Sequence, residues 1–273
     1  LGQSASRSSR PPTPRVISDR FGISGLGMVR LTSDPYTRWN RRILCNAPCG
    51  VSYFKEPIMT YATQLIRSLI FNASMYLAML VLGILFFPWS LVSSRGAIAA
   101  CKTYCRYVRW SAAWMIGLKT EIRGKVPEGE VMIGAKHQSF LDVIMLYGAV
   151  PRGKFIMKRI LMYAPILGQY GLRIGCVPVD RGKRGQAIRK MLADVEAGRA
   201  KGGQLLIYPQ GTRVAPGVDA PYKVGSAALY KELGQPCIPV ACNVGVFWPK
   251  RGFYRKPGVA VMEFLEPIEP GLE

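Results

Sequence analysis

"EVMIGAKHQSFLDVIML", residues 130–146, begins as one kind of secondary structure and ends as another. Residues 130–135 are a short apolar run suited to a buried strand, and a helical pattern opens near Ser139. Further runs of the strand type follow at 154–157 (KFIM), 173–180 (RIGCVPVD), 204–209 (QLLIYP), 237–242 (CIPVAC) and 259–267 (VAVMEFLEP). Helical patterns separate several of them, most plainly at 185–202, closed by a Gly pair, and at 224–234. Strands alternating with helices define an α/β class, so residues 119–273 are expected to form a mixed sheet flanked by helices. The chain stops at "EPIEPGLE" with no obvious closing element, so this domain is expected to lack its C-terminal end.

The remainder of the chain differs in composition. Residues 1–58 open with the Ser/Pro/Arg-rich "LGQSASRSSRPPTPR" and read as a disordered or non-native extension, with Met59 a plausible natural start. They lack the basic, apolar, small-residue order of a signal peptide. Residues 59–118 read as membrane-associated helices. Within them Ser68 to Ser94 is uncharged and long enough to cross a bilayer, which needs about 20 apolar residues. The segment after it, "RGAIAACKTYCRYVRWSAAWMIGL", repeats Lys102, Arg106 and Arg109 at helical spacing beside Tyr107, Trp110 and Trp114. Such a basic, aromatic helix suits the headgroup layer, and the two helices together are expected to form an N-terminal membrane anchor that dips in or crosses.

With 37 Lys+Arg against 16 Asp+Glu, the net charge of +21 calls for an anionic partner: a nucleic acid, an anionic membrane or a phosphorylated substrate. The cations are dispersed and the long apolar run points to a membrane, so no nucleic acid is expected. Seven cysteines form no CxxC pair, and buried thiols explain them. Two CxxxC spacings, Cys45/Cys49 and Cys101/Cys105, make a poor zinc set when the chain has a single histidine, so no metal is expected.

That histidine, His137, stands in the strand-to-helix turn, five positions before Asp142. Within one continuous helix the two side chains would point about 140° apart. With His137 in the turn and Asp142 in the first helical turn, the carboxylate can reach back to the imidazole. An Asp on one ring nitrogen sets the tautomer and leaves the other free to take a proton. Ser139 and Asp142 also resemble a capping box. A lone histidine is more often structural, so the cations near it matter. "YPQGTR" follows the strand 204–207 with a Gly-containing turn, presenting Thr212 and Arg213 where α/β folds bind ligands. Lys158 and Arg159 end another strand and Arg181 a third. Each could be a solvated surface charge, but together they specify a base beside an anion pocket, since a guanidinium matches phosphate oxygens.

The order of these motifs resembles the glycerolipid acyltransferases, the HX4D family, and within it the bacterial 1-acyl-sn-glycerol-3-phosphate acyltransferases. "HQSFLD" fits HX4D. "KFIMKRILMYAPILGQYGLRIGCVPVDRG" is similar to the second family block, with Lys158, Pro165, Gly168 and Arg181 in matching positions. "YPQGTR" is similar to the third, usually F-P-E-G-T-R, and "CIPVACNVG" to the fourth, with Pro239. The resemblance covers roughly residues 60–270. It implies acyl transfer from acyl-CoA or acyl-carrier protein to the sn-2 hydroxyl of lysophosphatidic acid, giving phosphatidic acid for phospholipid synthesis. By the same resemblance His137 is the general base and Asp142 orients it. Lys158 and Arg213 hold the phosphate, Gly211 allows close backbone approach, and Arg181, Gln210 and Thr212 complete the substrate-binding set, without cofactor or metal. It implies a bacterial inner membrane, with the catalytic domain facing the cytoplasm.

Two positions depart from the pattern. Gln210 stands where the family has Glu, and Ile160 where Glu is frequent. Gln keeps hydrogen-bonding capacity but loses the charge. Another lyso-lipid acceptor, such as a lyso-ornithine lipid, and a catalytically silent lipid-binding protein are the alternative readings.

Overall fold

The computed structural model describes residues 58–164, 166–179 and 203–271, together with 193 and 197. The segment 1–57, Pro165, Arg181 and nearly all of the helix expected at 185–202 lie outside the described residues.

Three helices open the fold: α1 (Ile58–Leu85), α2 (Phe87–Val92) and α3 (Ser94–Ile116). The uncharged run is thus broken: Pro88 sits in the first turn of α2, and Ser93 is extended and caps α3 through Arg95 N. α3 ends at Gly117 with φ +69°. The sheet follows with β1 (Leu118–Arg123), β2 (Met132–Ala135), β3 (Gly153–Lys158), β4 (Val177–Val179), β5 (Gln204–Ile207), β6 (Cys237–Cys242) and β7 (Gly258–Phe264). Helix α4 (Leu141–Ala149) links β2 to β3, and a 3-10 turn (Arg159–Tyr163) and α5 (Leu167–Arg173) link β3 to β4. Helix α6 (Val224–Leu233) links β5 to β6, and α7 (Val244–Phe247) precedes β7.

The strand order is β1-β7-β6-β2-β5-β3-β4. Strands β6, β2, β5, β3 and β4 are mutually parallel, β7 runs antiparallel to β6, and β1 pairs parallel with β7. The mixed α/β sheet expected from the alternation is therefore present. Two of its details differ. Strand β1 ("LKTEIR") falls outside the expected strands: it is a short edge strand that buries Leu118 fully and Thr120 and Ile122 only in part. The strand expected at 173–180 shrinks to 177–179, because Arg173 closes α5 and Gly175 turns the chain at φ +85°.

Both faces of the central strands are covered, which is why β2 and β5 are buried throughout. Ile133 and Leu206 join Leu141, Ile144, Met145, Val108 and Ala112 in the core under α3 and α4. Their neighbours Met132, Leu205 and Ile207 point the other way and meet Leu229 and Leu233 of α6. The period of two along each strand assigns alternate residues to the two cores.

Part of the basic face of α3 serves the domain rather than open solvent. Lys102 Nζ donates to the carbonyls of Tyr147 (2.7 Å), Gly148 (3.2 Å) and Val150, closing the C-terminus of α4. Arg109 Nε donates to Thr120 Oγ1 of β1 at 2.8 Å. Trp110 and Trp114 remain exposed and stack on each other at 5.9 Å. Lys102→Met should lower stability by about 1–2 kcal/mol, read as a lower thermal midpoint, because the last carbonyls of α4 lose their donor.

Candidate active site

The parallel strands β2, β5 and β6 end on one edge of the sheet, and the loops leaving them meet there. After β2 the chain turns at Lys136–Phe140 before α4. Asp142, in the first turn of α4, is fully buried and bends its carboxylate back over that turn. Its Oδ2 accepts from the backbone N–H of Gln138 and of Ser139, both at 2.7 Å. Its Oδ1 lies 2.9 Å from His137 Nδ1. Ser139 Oγ accepts from Leu141 N at 3.1 Å rather than from Asp142 N, so only the aspartate half of the expected capping box forms, and the helix starts from Phe140. Two N–H groups, the imidazole N–H and the positive end of α4 compensate a charge that burial alone would make costly.

An ionised carboxylate only accepts, so Nδ1 carries the proton and donates it to Asp142. The side chain of His137 is 19% exposed, and its Nε2 has no hydrogen-bond partner among the described residues. Its lone pair is left for an incoming proton.

The loop after β5 supplies the next wall. Tyr208 stacks flat on the His137 ring, centroids 4.1 Å apart and 20° between planes. Phe155 of β3 backs it at 6.1 Å. The Tyr208 hydroxyl makes no hydrogen bond of good geometry, and burial foremost, then the nearby Asp142 charge, push its pKa well up. It stays a neutral phenol. Along the sequence Tyr208 carries no signal of a role, because an aromatic at that position reads as packing, and only its place under the imidazole reveals it.

Tyr208 O accepts from Gly211 N at 2.8 Å, closing a tight turn in which Gly211 has φ +67°. A Cβ there would meet only Lys223 Cγ at 3.5 Å, so conformation rather than space requires the glycine. Val214 N donates to His137 O at 2.8 Å, binding this loop to the histidine turn. From the third strand, Gly245 N donates to Gln138 Oε1 at 3.0 Å. A Cβ on Gly245 would come within 2.9 Å of Gln138 Cβ and of Pro216 Cδ.

Of the residues singled out in the sequence, His137, Asp142, Gln210, Gly211, Thr212 and Arg213 are brought to this edge. Thr212 is exposed and Arg213 half-buried, its carbonyl accepting from Lys250 Nζ at 3.0 Å. Lys158 closes β3 on the same edge beyond β5, with its side chain exposed. Arg181 is outside the described residues. Gln210 is 3% exposed; its Nε2 donates to Ala220 O at 3.4 Å and its Oε1 is unpartnered among the described residues. Gln210→Glu would turn the donor facing Ala220 into a second acceptor. A buried carboxyl titrates above its unfolded value of about 4.3. The variant's deficit should therefore be small below pH 4 and grow as pH rises, to about 2 kcal/mol at pH 7, in thermal melts across that range.

Burial raises the thiol pKa to about 11 at Cys176 and Cys237, and higher still at Cys242, where the Asp142 charge adds to it. These thiols stay protonated at neutral pH and are no nucleophiles. Among the described residues no group of three His, Cys, Asp or Glu side chains is placed to hold a metal.

The mixed α/β sheet thus carries, at the C-terminal ends of its parallel strands, an imidazole held by a buried carboxylate and a Gly-Thr-Arg turn. Residues 118–243 match the family model described as Acyltransferase. A 1-acyl-sn-glycerol-3-phosphate acyltransferase of Pseudomonas aeruginosa is 31% identical over 159 residues, 58% of this chain and 62% of that protein. One of Saccharomyces cerevisiae is 30% identical over 162 residues, 56% of this chain and 53% of that one. The chain thus spans less than two thirds of the length of these curated relatives. The fold is shared with the crystal structure of the 1-acyl-sn-glycerophosphate acyltransferase PlsC from Thermotoga maritima. There the TM-score is 0.64 at 19% identity, covering 77% of this chain and 88% of that one.

Proposed function

We propose that this protein transfers a fatty acyl group from acyl-CoA or acyl-carrier protein to the sn-2 hydroxyl of 1-acylglycerol-3-phosphate, releasing phosphatidic acid. The observation that carries it is the locked dyad: Nδ1 of His137 held at 2.9 Å by a fully buried Asp142, with Nε2 open. Nε2 takes the proton of the acceptor hydroxyl as its oxygen attacks the thioester carbonyl. When the tetrahedral adduct collapses, the C–S bond breaks and the imidazolium returns its proton to the departing thiolate. Asp142 stabilises the imidazolium in between. Attack is direct, so the protonated cysteines have no part. Arg213 and Lys158, with Gly211 and Thr212, face the phosphate of the acceptor, and Arg181 is assigned to the same group by its place in the motif.

The reaction sits at a membrane surface. Thr60–Leu85 is a helix long and apolar enough to cross a bilayer, and Leu77, Ile84, Leu85, Trp89 and Val92 are exposed apolar side chains on α1 and α2. Gln64 near the start of α1 bonds to Ile116 at the end of α3, so the two helices run as an antiparallel pair with α1 docked along the domain. That geometry favours a pair lying in one leaflet over a crossing; the cytoplasmic side of a bacterial inner membrane is assigned from the family resemblance alone.

The test is acyl transfer from labelled acyl-CoA, and separately from acyl-carrier protein, to lysophosphatidic acid in membranes carrying the full chain. Labelled phosphatidic acid above the control membrane is expected. Product formed only with lyso-ornithine lipid would move the acceptor, as Gln210 and Ile160 allow, and no product with either acceptor would sink the enzymatic reading.

A further inference from the structure

Linked to the histidine turn through Trp248 and Phe140 lies a buried cation whose acceptors are all neutral oxygens. Arg255, 6% exposed, donates through Nη1 to Gly252 O (2.9 Å) and Tyr254 O (3.2 Å) and through Nη2 to Asn72 Oδ1 of α1 (3.1 Å). Its guanidinium lies 4.5 Å from the ring centroid of Trp248. The fully buried Phe71 of α1 meets the same ring edge-on at 5.5 Å. The Trp248 ring also meets Phe140, with centroids 6.3 Å apart and the planes tilted by 59°. Phe140 is part of the HX4D turn itself and the residue from which α4 starts, two positions before Asp142.

Helix α1 is built to hold this arrangement. Gln64, Ser68 and Asn72 recur every four residues along its docked face. Gln64 Nε2 donates to Arg255 O at 2.9 Å, Ser68 Oγ accepts from Arg255 N at 3.0 Å, and Asn72 Nδ2 donates to Phe253 O at 3.1 Å. A polar stripe on an otherwise apolar helix thus clamps one loop, residues 248–257, against the back of the catalytic turn.

We propose that Asn72, Arg255 and Trp248 are positioning residues for His137, acting through Phe140, so that docking of the membrane-facing helix and alignment of the base are one event. The role rests on the acyltransferase reading for its kinetic consequence, but not for its structural one. Arg255 Nε is already unpartnered, so losing the Asn72 acceptor strands a second guanidinium nitrogen in a buried site, and the loop must shift to rehydrate it. Trp248 then no longer backs Phe140, and the turn that aims His137 loosens.

His137 is the sole histidine of the chain, so selective 15N-histidine labelling, with a purification tag free of histidine, reports one imidazole. The full chain should be compared in detergent with Asn72→Leu, Trp248→Leu and the conservative Trp248→Phe, each checked for folding by thermal melt. In the two Leu variants the His137 imidazole signals should move or broaden. Their kcat per folded molecule should fall about tenfold or more, with KM for both substrates within about twofold. Trp248→Phe, which keeps a ring against Phe140, should stay near wild type. Where Trp248→Leu does not fold, Asn72→Leu carries the comparison. Unchanged His137 signals in folded Asn72→Leu would overturn the proposal, whatever the rate, as would Trp248→Phe being as damaged as Trp248→Leu. If the wild type transfers no acyl group, the activity reading fails by itself and the imidazole signals still decide the positioning role.

Discussion

His137→Ala should reduce acyl transfer by about 10²–10⁴-fold while leaving the protein folded, with its stability lower by about 1–3 kcal/mol. The imidazole is only partly buried, and its sole hydrogen bond among the described residues goes to Asp142. Its removal therefore costs one charge-assisted hydrogen bond and the stack on Tyr208, at the edge of the domain rather than in the core. The rate has no such reserve. Nε2 is the nitrogen placed to take a proton, and the chain contains no second histidine to substitute for it. Initial rates in membranes adjusted to equal protein, with a melt on the same preparations, would check both halves. Equal rates for the two proteins would remove His137 from the mechanism.

Asp142 separates chemistry from architecture when two substitutions are compared. Asp142→Asn keeps one oxygen for the N–H groups of Gln138 and Ser139, but its other arm presents an amide donor to Nδ1. The imidazole must then place its proton on Nε2, the nitrogen that should accept. A loss of about 10³–10⁴ in kcat with modest destabilisation is expected. Asp142→Leu removes the acceptor altogether and strands two buried N–H groups and the imidazole N–H. Each unsatisfied donor costs about 1–3 kcal/mol, so a further loss of stability of about 4 kcal/mol should appear in denaturant unfolding. Should Asn and Leu destabilise equally, the carboxylate is not organising the turn as the geometry requires.

Much of this site was legible along the chain. The spacing of His137 and Asp142 across a strand-to-helix turn depends only on local conformation, and the dyad forms as that spacing requires. Glycine at 211 likewise announces a turn, and the φ of +67° supplies the reason. Lys102 and Arg109 were misread as facing lipid headgroups. Their helical spacing shows that they share a face, but not that α4 and β1 lie against it. Trp248 and Arg255 carried no local signal, since an aromatic and a cation in a loop have many ordinary explanations.

By itself the sequence determined the α/β class, the approximate limits of most strands and of the helix at 224–233, and the pairing of His137 with Asp142. Each follows from the periodicity and turn chemistry of residues a few positions apart. Only the tertiary structure decided that β5 enters between β2 and β3, bringing Tyr208 beneath His137, and that α1 clamps a loop 191 residues away through Gln64 and Arg255. Those contacts join segments whose own patterns are satisfied equally well by other partners. The choice among partners is made by simultaneous burial of both sheet faces and of every polar group between them.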